Sequence, residues 1–280
     1  MTMEERQLAA LEAKAKEIRF ELLQMFGSGK THHFGGSLSC VEILTALYFY
    51  KMNYSFERKD SPTRDRFIMS KGHSVPTQYV ILSMLGLFPP EELGKIKQLG
   101  AMLQGHPDIN KTPGIEAPTG SLGQGLSYAN GIALAARLDK NDFNIYVVMG
   151  DGELQSGQVW EAAMTTSHYR INNIRAFIDL NGYQSQGCVQ ESLAIEPLEE
   201  KWRSFGWHAS RVNGHDLSDI CRALDETDNI DKPCIIIAET VKGKGISSIE
   251  GTFRGHNYAL TEEEYKIACE ELAVSNGEQE

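Results

Sequence analysis

Two short turns and four histidines carry the chemistry in this sequence. Gly150-Asp151-Gly152 ends the apolar run 145–149, and Asp179-Leu180-Asn181-Gly182-Tyr183 ends the run 174–178. Asp151 offers a hard carboxylate oxygen, Asn181 an amide oxygen and Tyr183 a backbone carbonyl. An octahedral Mg²⁺ combines a few such ligands with water and phosphate oxygens. Gly150 and Gly152 let the backbone approach a phosphate, and a helix following directly would offer its N-terminal N–H groups to the anion. Asp-Gly or Asn-Gly alone is most often a plain turn. Here each ends a strand of one strand–helix–strand unit, with Val159, Trp160, Ala163 and Met164 apolar between them. Ligands bind at that edge of open parallel sheets, so the pair favours a ligand.

His33, His73, His106 and His256 each lie in or beside a glycine-containing turn. Imidazoles titrate near neutral pH, which suits proton transfer and phosphate contacts. Any one of them alone is more often an ordinary loop residue. His32, His168, His208 and His215 are read as structural. Thr119-Gly120-Ser121-Leu122-Gly123-Gln124-Gly125 opens a small-residue helix, a pattern that also serves close helix packing. Lys242 and Lys244 suit phosphates and a solvated basic turn equally.

The elements that must position these groups alternate between helix and strand. Residues 3–26 read as a helix with Leu8, Leu11, Ala15, Ile18 and Leu22 along one face. Ser39 and Glu42 have capping-box spacing before a helix carrying Val41, Leu44, Leu47 and Tyr48. Strands are predicted at 66–70, 145–149, 174–178, 207–212 and 234–238. Further helices are predicted around Tyr79–Met84, at 91–99, from 125 through Ala136, at 197–205, at 216–226 capped by Asp216, and from Thr261 onward. This alternation predicts an α/β fold: a doubly wound, mostly parallel sheet with helices on both faces, in a single domain over 1–280.

The 280 residues are 41% hydrophobic, ordinary for a globular protein, and their net charge of −11 argues against nucleic acid and anionic membranes as partners. Any phosphate site must therefore be local. The polar start has no signal-peptide core, and no apolar run approaches the length of a membrane span. Five scattered cysteines without Cys-x-x-Cys spacing suggest reduced thiols and a cytoplasmic setting.

GDG followed thirty residues after Asp151 by Asn181 resembles the thiamine diphosphate motif of transketolases. HFGGSLS, SKGH, QGHPD, TGSLGQG, GDGE…GQVWEAA…DLNGYQ and KGKG…H recur in order, and the resemblance to transketolase N-terminal halves covers nearly the whole chain. It implies the thiamine diphosphate-binding fold, with Asp151, Asn181 and the Tyr183 carbonyl holding Mg²⁺ or Ca²⁺. His73, Gly150, Gly152, Glu153, Lys242 and His256 would serve the diphosphate. Gly120, Ser121 and Leu122 would border the cofactor rings, and His33, His106 and His256 would assist proton transfers on sugar or sugar-phosphate substrates. The implied reaction moves a two-carbon ketol unit from a ketose to an aldose.

The family's activating glutamate belongs to a pyrimidine-binding domain that these 280 residues do not include. The resemblance therefore implies a partner, a transketolase C-terminal subunit, in an α2β2 assembly. Many relatives carry glutamate where Ser156 stands. Near His256 relatives often have Trp-His-Gly-Lys, whereas this chain has Gly255-His256-Asn257-Tyr258, which counts against ordinary pentose phosphates and leaves room for a specialised sugar. Competing readings are a deoxyxylulose-phosphate synthase-like or 2-oxoacid dehydrogenase-like subunit, and a non-catalytic regulatory relative. The histidine set favours sugar-phosphate transfer over oxoacid decarboxylation, and the Asp151/Asn181 pair disfavours the regulator.

Overall fold

The computed structural model describes residues 3–277. Five strands form, β1 (Arg66–Met69), β2 (Ile145–Gly150), β3 (Ile174–Leu180), β4 (His208–Asn213) and β5 (Cys234–Glu239). They build one sheet of order β1-β2-β3-β5-β4, and every pairing in it is parallel. The chain steps across the sheet from β1 to β3, crosses to the far edge for β4, and returns to insert β5.

Parallel strands need covered faces, and the side-chain period of two supplies both. Ile68, Val147, Met149, Ala176, Ile178 and Ile237 enter one core. Phe67, Met69, Tyr146, Val148, Phe177 and Ile236 enter the other. The second core is closed by α1 (Met3–Phe26), α2 (Phe34–Ser39), α3 (Val41–Ala46), α4 (Val75–Met84), and two helices near the C-terminus described below. The first is closed by α5 (Gly125–Asp139), α6 (Gly157–His168), α7 (Val189–Ser192) and α8 (Leu198–Ser204). The remaining helices over the second core are α9 (Leu217–Glu226) and α10 (Glu262–Gly277). The α/β, doubly wound architecture is thus as the sequence pattern predicts.

Local signals were kept or overridden for identifiable reasons. Asp216 caps α9, accepting from the N–H groups of Ser218 and Asp219 at 2.9 and 3.2 Å. Thr261 and Glu264 make a reciprocal capping box on α10, at 3.1 and 2.9 Å. The box expected at Ser39 and Glu42 does not form. Ser39 ends α2 and Cys40 stands at the start of α3, while both candidate side chains are drawn into buried long-range pairs. The helix expected over 91–99 is a 3₁₀ segment, Pro90–Lys95, ended by the left-handed Lys97 at φ 63°. Of the apolar residues on α6, Met164 is exposed, and Val159, Ala162, Ala163 and Thr166 form its buried face.

The carboxyl ends of the strands are tied together by one buried carboxylate. Asp179 Oδ2 accepts from Lys71 Nζ at 2.6 Å, Ser39 Oγ at 2.6 Å and Asn181 Nδ2 at 2.8 Å, and Thr240 Oγ1 donates to Oδ1. Lys71 also donates to the Gly36 carbonyl at 2.7 Å. Neither charge reaches solvent: Lys71 is 2% exposed and Asp179 0%. Removing one member of such a pair strands the other in a low dielectric, at about 3–5 kcal/mol. Lys71→Met should lower the urea-derived unfolding free energy by that amount. A loss below about 1 kcal/mol would show that the pair is solvated.

Candidate active site

Around this tie, loops from β1, β2, β3 and β5 enclose a cavity of about 360 Å³. All four glycine-flanked histidines line it. His33 precedes α2, His73 lies in the turn after β1, His106 on the loop after the 3₁₀ segment, and His256 at the end of a 3₁₀ turn, Phe253–His256. Their ring centroids are 5.1 Å apart for His73–His256, 5.2 Å for His33–His73, 5.4 Å for His33–His256 and 6.1 Å for His33–His106.

The glycines beside them allow this crowding. The motif expected as a loop before a helix is itself helical from Phe34, despite two consecutive glycines. A Cβ on Gly36 would lie 2.6 Å from Ser74 Oγ, and one on Gly35 would lie 2.7 Å from Lys242 Cγ. Close packing thus outweighs glycine's poor helix propensity, about 1 kcal/mol per residue. Gly120, at φ +149°, backs onto His106, where a Cβ would sit 2.9 Å from Cδ2.

Burial sets the charge state of the imidazoles. It depresses His33 to about 3, with the neighbouring His256 and Lys97 adding to the effect. His256 is lowered to about 4 by burial and then by Lys242. His73 is pushed well below its ordinary value by burial and then by Lys71, and His106 is lowered by burial and then by Lys97. All four are neutral at physiological pH, so each presents one N–H donor and one nitrogen acceptor.

Opposite them sit the acidic and amide groups. Asp151 accepts from the N–H of Gly152 at 2.7 Å and of Gly182 at 2.6 Å. Burial, and then the neighbouring Asp179 carboxylate, push it up to about 6. Among the described residues it has no ion-pair partner, so a cation bound there would relieve the cost of an unpaired buried charge. Asn181 donates its amide nitrogen to Asp179, which fixes the carbonyl Oδ1 on the other side. The Tyr183 carbonyl faces Lys242 Nζ at 2.8 Å, and Lys242 Nζ also meets His256 Nδ1 at 3.2 Å. Burial lowers the Lys242 ammonium to about 8. No cluster of three or more His, Cys, Asp or Glu side chains among the described residues could hold a metal. The donor set therefore fits a dication only if phosphate oxygens and water complete its shell, as they do for diphosphate-bound Mg²⁺.

Other predicted site residues divide. Gly120, Leu122, Gly150, Gly152 and Glu153 line the cavity, whereas Ser121 is exposed outside it. Glu153 is a buried brace, accepting from Ser70 Oγ and from the N–H groups of Gly123 at 2.8 Å and Gly150 at 3.1 Å. Lys242 enters the cavity, while Lys244 turns away to Glu250 at 3.1 Å. α6 does not start at the Gly-Asp-Gly turn. A 3₁₀ turn, Gly152–Gln155, intervenes, so the N–H groups at the cavity belong to that turn. Lys71, Gln184 and Ser185 also line the site, though no spacing singled them out.

Residues 11–278 match the transketolase thiamine diphosphate-binding domain family. The chain belongs to that family. It is 44% identical to a 6-deoxy-6-sulfo-D-fructose transketolase subunit of Clostridium sp., over 94% of this chain and 96% of that one. It is 40% identical to one of the subunits of the apulose-4-phosphate transketolase of Phocaeicola vulgatus, over 95% of each. Transketolase from Leishmania mexicana superposes with a TM-score of 0.86 at 30% identity, over 94% of this chain. The chain spans 41% of that solved transketolase. An N-terminal transketolase subunit of the thiamine diphosphate fold thus stands, and the oxoacid, synthase-like and regulatory alternatives are not favoured.

The depressed His33 gives a pH signature. Its folded value of about 3 lies below the unfolded 6.5, so protonation favours the unfolded chain. The stability it contributes is complete above about 6.5 and is lost as pH falls toward 3. The unfolding free energy should climb between about pH 4 and about pH 6.5, less steeply in His33→Phe than in the parent. Parallel curves would place His33 in solvent.

Proposed function

We propose that residues 1–280 form the diphosphate- and metal-binding domain of a two-chain transketolase. The partner would be a C-terminal subunit carrying the pyrimidine-binding half, in an α2β2 assembly. What carries this reading is the meeting of four neutral imidazoles with Asp151 and Asn181 in one cavity at the carboxyl edge of the sheet. The two bacterial relatives whose length this chain nearly matches are both named as subunits. The setting would be cytoplasmic: all five cysteines are free, and no helix among the described residues is long and apolar enough to cross a membrane.

Asp151, Asn181 Oδ1 and the Tyr183 carbonyl would hold Mg²⁺ or Ca²⁺, leaving further positions to phosphate oxygens. Lys242, His73 and His256 would meet the diphosphate, and Gly120 and Leu122 would border the cofactor rings. Bound thiamine diphosphate supplies an electron sink for breaking a ketose carbon–carbon bond. His33, His106 and His256, neutral and crowded, can each accept a proton from a sugar hydroxyl and return it at the same site. The cavity of about 360 Å³ keeps those transfers between fixed groups.

The substrate would be a specialised ketose rather than an ordinary pentose phosphate. Where the family resemblance implies a lysine, residue 258 is a tyrosine whose hydroxyl is held by Glu264 at 3.0 Å. The tyrosine itself carries no cation, and the Arg254 guanidinium, 4.5 Å from its ring centroid, is engaged by Glu264 at 3.2 Å. The named relatives act on a sulfo-sugar and on apulose 4-phosphate.

Affinity purification from the native host should recover a stoichiometric C-terminal-type partner, and the complex should transfer ketol units. In it His106→Ala should lower kcat by about 10²-fold. Ketol transfer by the chain without its partner, or a His106→Ala variant at full rate, would contradict the proposal.

A further inference from the structure

The loop that carries Lys242 into the cavity is gripped from behind by a buried relay that touches no cavity surface. Arg19 on α1 and Glu42 on α3 are each 7% exposed. Arg19 Nη2 donates to Glu42 Oε1 at 2.8 Å and Oε2 at 3.0 Å. Glu42 Oε2 also meets His215 Nδ1 at 2.9 Å, and the backbone N–H of Val241 donates to His215 Nε2 at 2.8 Å. Because Nε2 accepts, the imidazole proton sits on Nδ1 and is donated to Glu42. Arg19 Nε donates to the Lys244 carbonyl at 3.0 Å. Its aliphatic stem fills the space over Gly245, where a Cβ would lie 2.7 Å from Cδ.

The relay thus holds the chain on both sides of Lys242, at Val241 through His215 and at Lys244–Gly245 through Arg19. Its geometry leaves the Lys242 side chain little choice of direction. Lys242 Nζ lies 2.8 Å from the Tyr183 carbonyl and 3.2 Å from His256 Nδ1, between the residues assigned to metal and diphosphate. A buried ion pair with a shared histidine costs desolvation and rarely exists for stability alone, whereas fixing one backbone geometry is a use it serves well.

We propose that Arg19, Glu42 and His215 are positioning residues for cofactor binding, acting through Lys242 on the diphosphate. This rests on the thiamine diphosphate reading above. His215, placed by sequence among the structural histidines, is the link that can be cut most cleanly. Leucine removes its acceptor for the Val241 N–H, whereas glutamine carries an oxygen to the place of Nε2.

The test is a double-mutant cycle on the chain reconstituted with its C-terminal-type partner, with thiamine diphosphate affinity measured calorimetrically in the presence of Mg²⁺. His215→Leu should weaken binding about tenfold, as loss of an outer-shell support does. Lys242→Met should weaken it at least as much, and the double variant should bind no more weakly than Lys242→Met alone, because the relay then has nothing left to position. His215→Gln should restore most of the loss. Should His215→Leu not fold, Glu42→Gln enters the same cycle. Wild-type affinity in the folded single variant, or losses that add in the double variant, would overturn the positioning role. A reconstituted parent complex that binds no thiamine diphosphate would overturn the functional reading instead.

Discussion

The structure depends on a single carboxylate kept charged in the protein interior. Asp179 gathers Lys71 from the end of β1, Ser39 from α2, Thr240 from the end of β5 and Asn181 from its own turn. Burial works against its ionisation, yet the ammonium of Lys71 and the hydroxyl donors hold it below the usual carboxylate range. Two groups of opposite charge out of water are stable only with every lone pair and proton used, which forces the four elements into one arrangement. Asn181 is thereby turned so that its oxygen, which accepts from the Tyr183 N–H at 3.1 Å, keeps a second lone pair for a ligand.

That constraint explains how an acidic chain offers an anion site. Lys71 and Lys242 lie at the cavity, each buried to 2% exposure, and the imidazoles around them are neutral. Asp151, lacking a cation of its own, is pushed up to about 6. The cavity is therefore short of positive charge at one point and rich in hydrogen-bond donors around it. A dication joined to a diphosphate fits such a pattern better than either ion alone.

Much of this was legible in the sequence because the signals were short-range. Strand alternation divides cleanly between two cores, and the Gly-Asp-Gly turn, Asn181 and His73 occupy one edge, as their placement after strands implies, where His33, His106 and His256 join them from other loops. What escaped depends on contacts between distant residues. Ser39 and Glu42 satisfy a local capping rule, but a buried partner 140 residues away claims one and Arg19 and His215 claim the other. Gly35 and Gly36 read as loop, and are helical because Lys242 and Ser74 need the room. His215 also follows a glycine, Gly214, yet it lies outside the cavity, and its role follows from a backbone N–H that no sequence pattern reveals. Ser121 belongs to the right loop but faces solvent.

The central claim is that a dication at Asp151, Asn181 and Tyr183 joins the diphosphate to this cavity. It is tested most directly by titrating the chain, reconstituted with its partner subunit, with thiamine diphosphate, with and without Mg²⁺, and with thiamine monophosphate as the control. The account predicts saturable binding of the diphosphate only with the metal, and at least about tenfold weaker binding when EDTA removes it or when Asp151 becomes alanine. Equal affinity with and without metal, or equal affinity for the monophosphate, would contradict it.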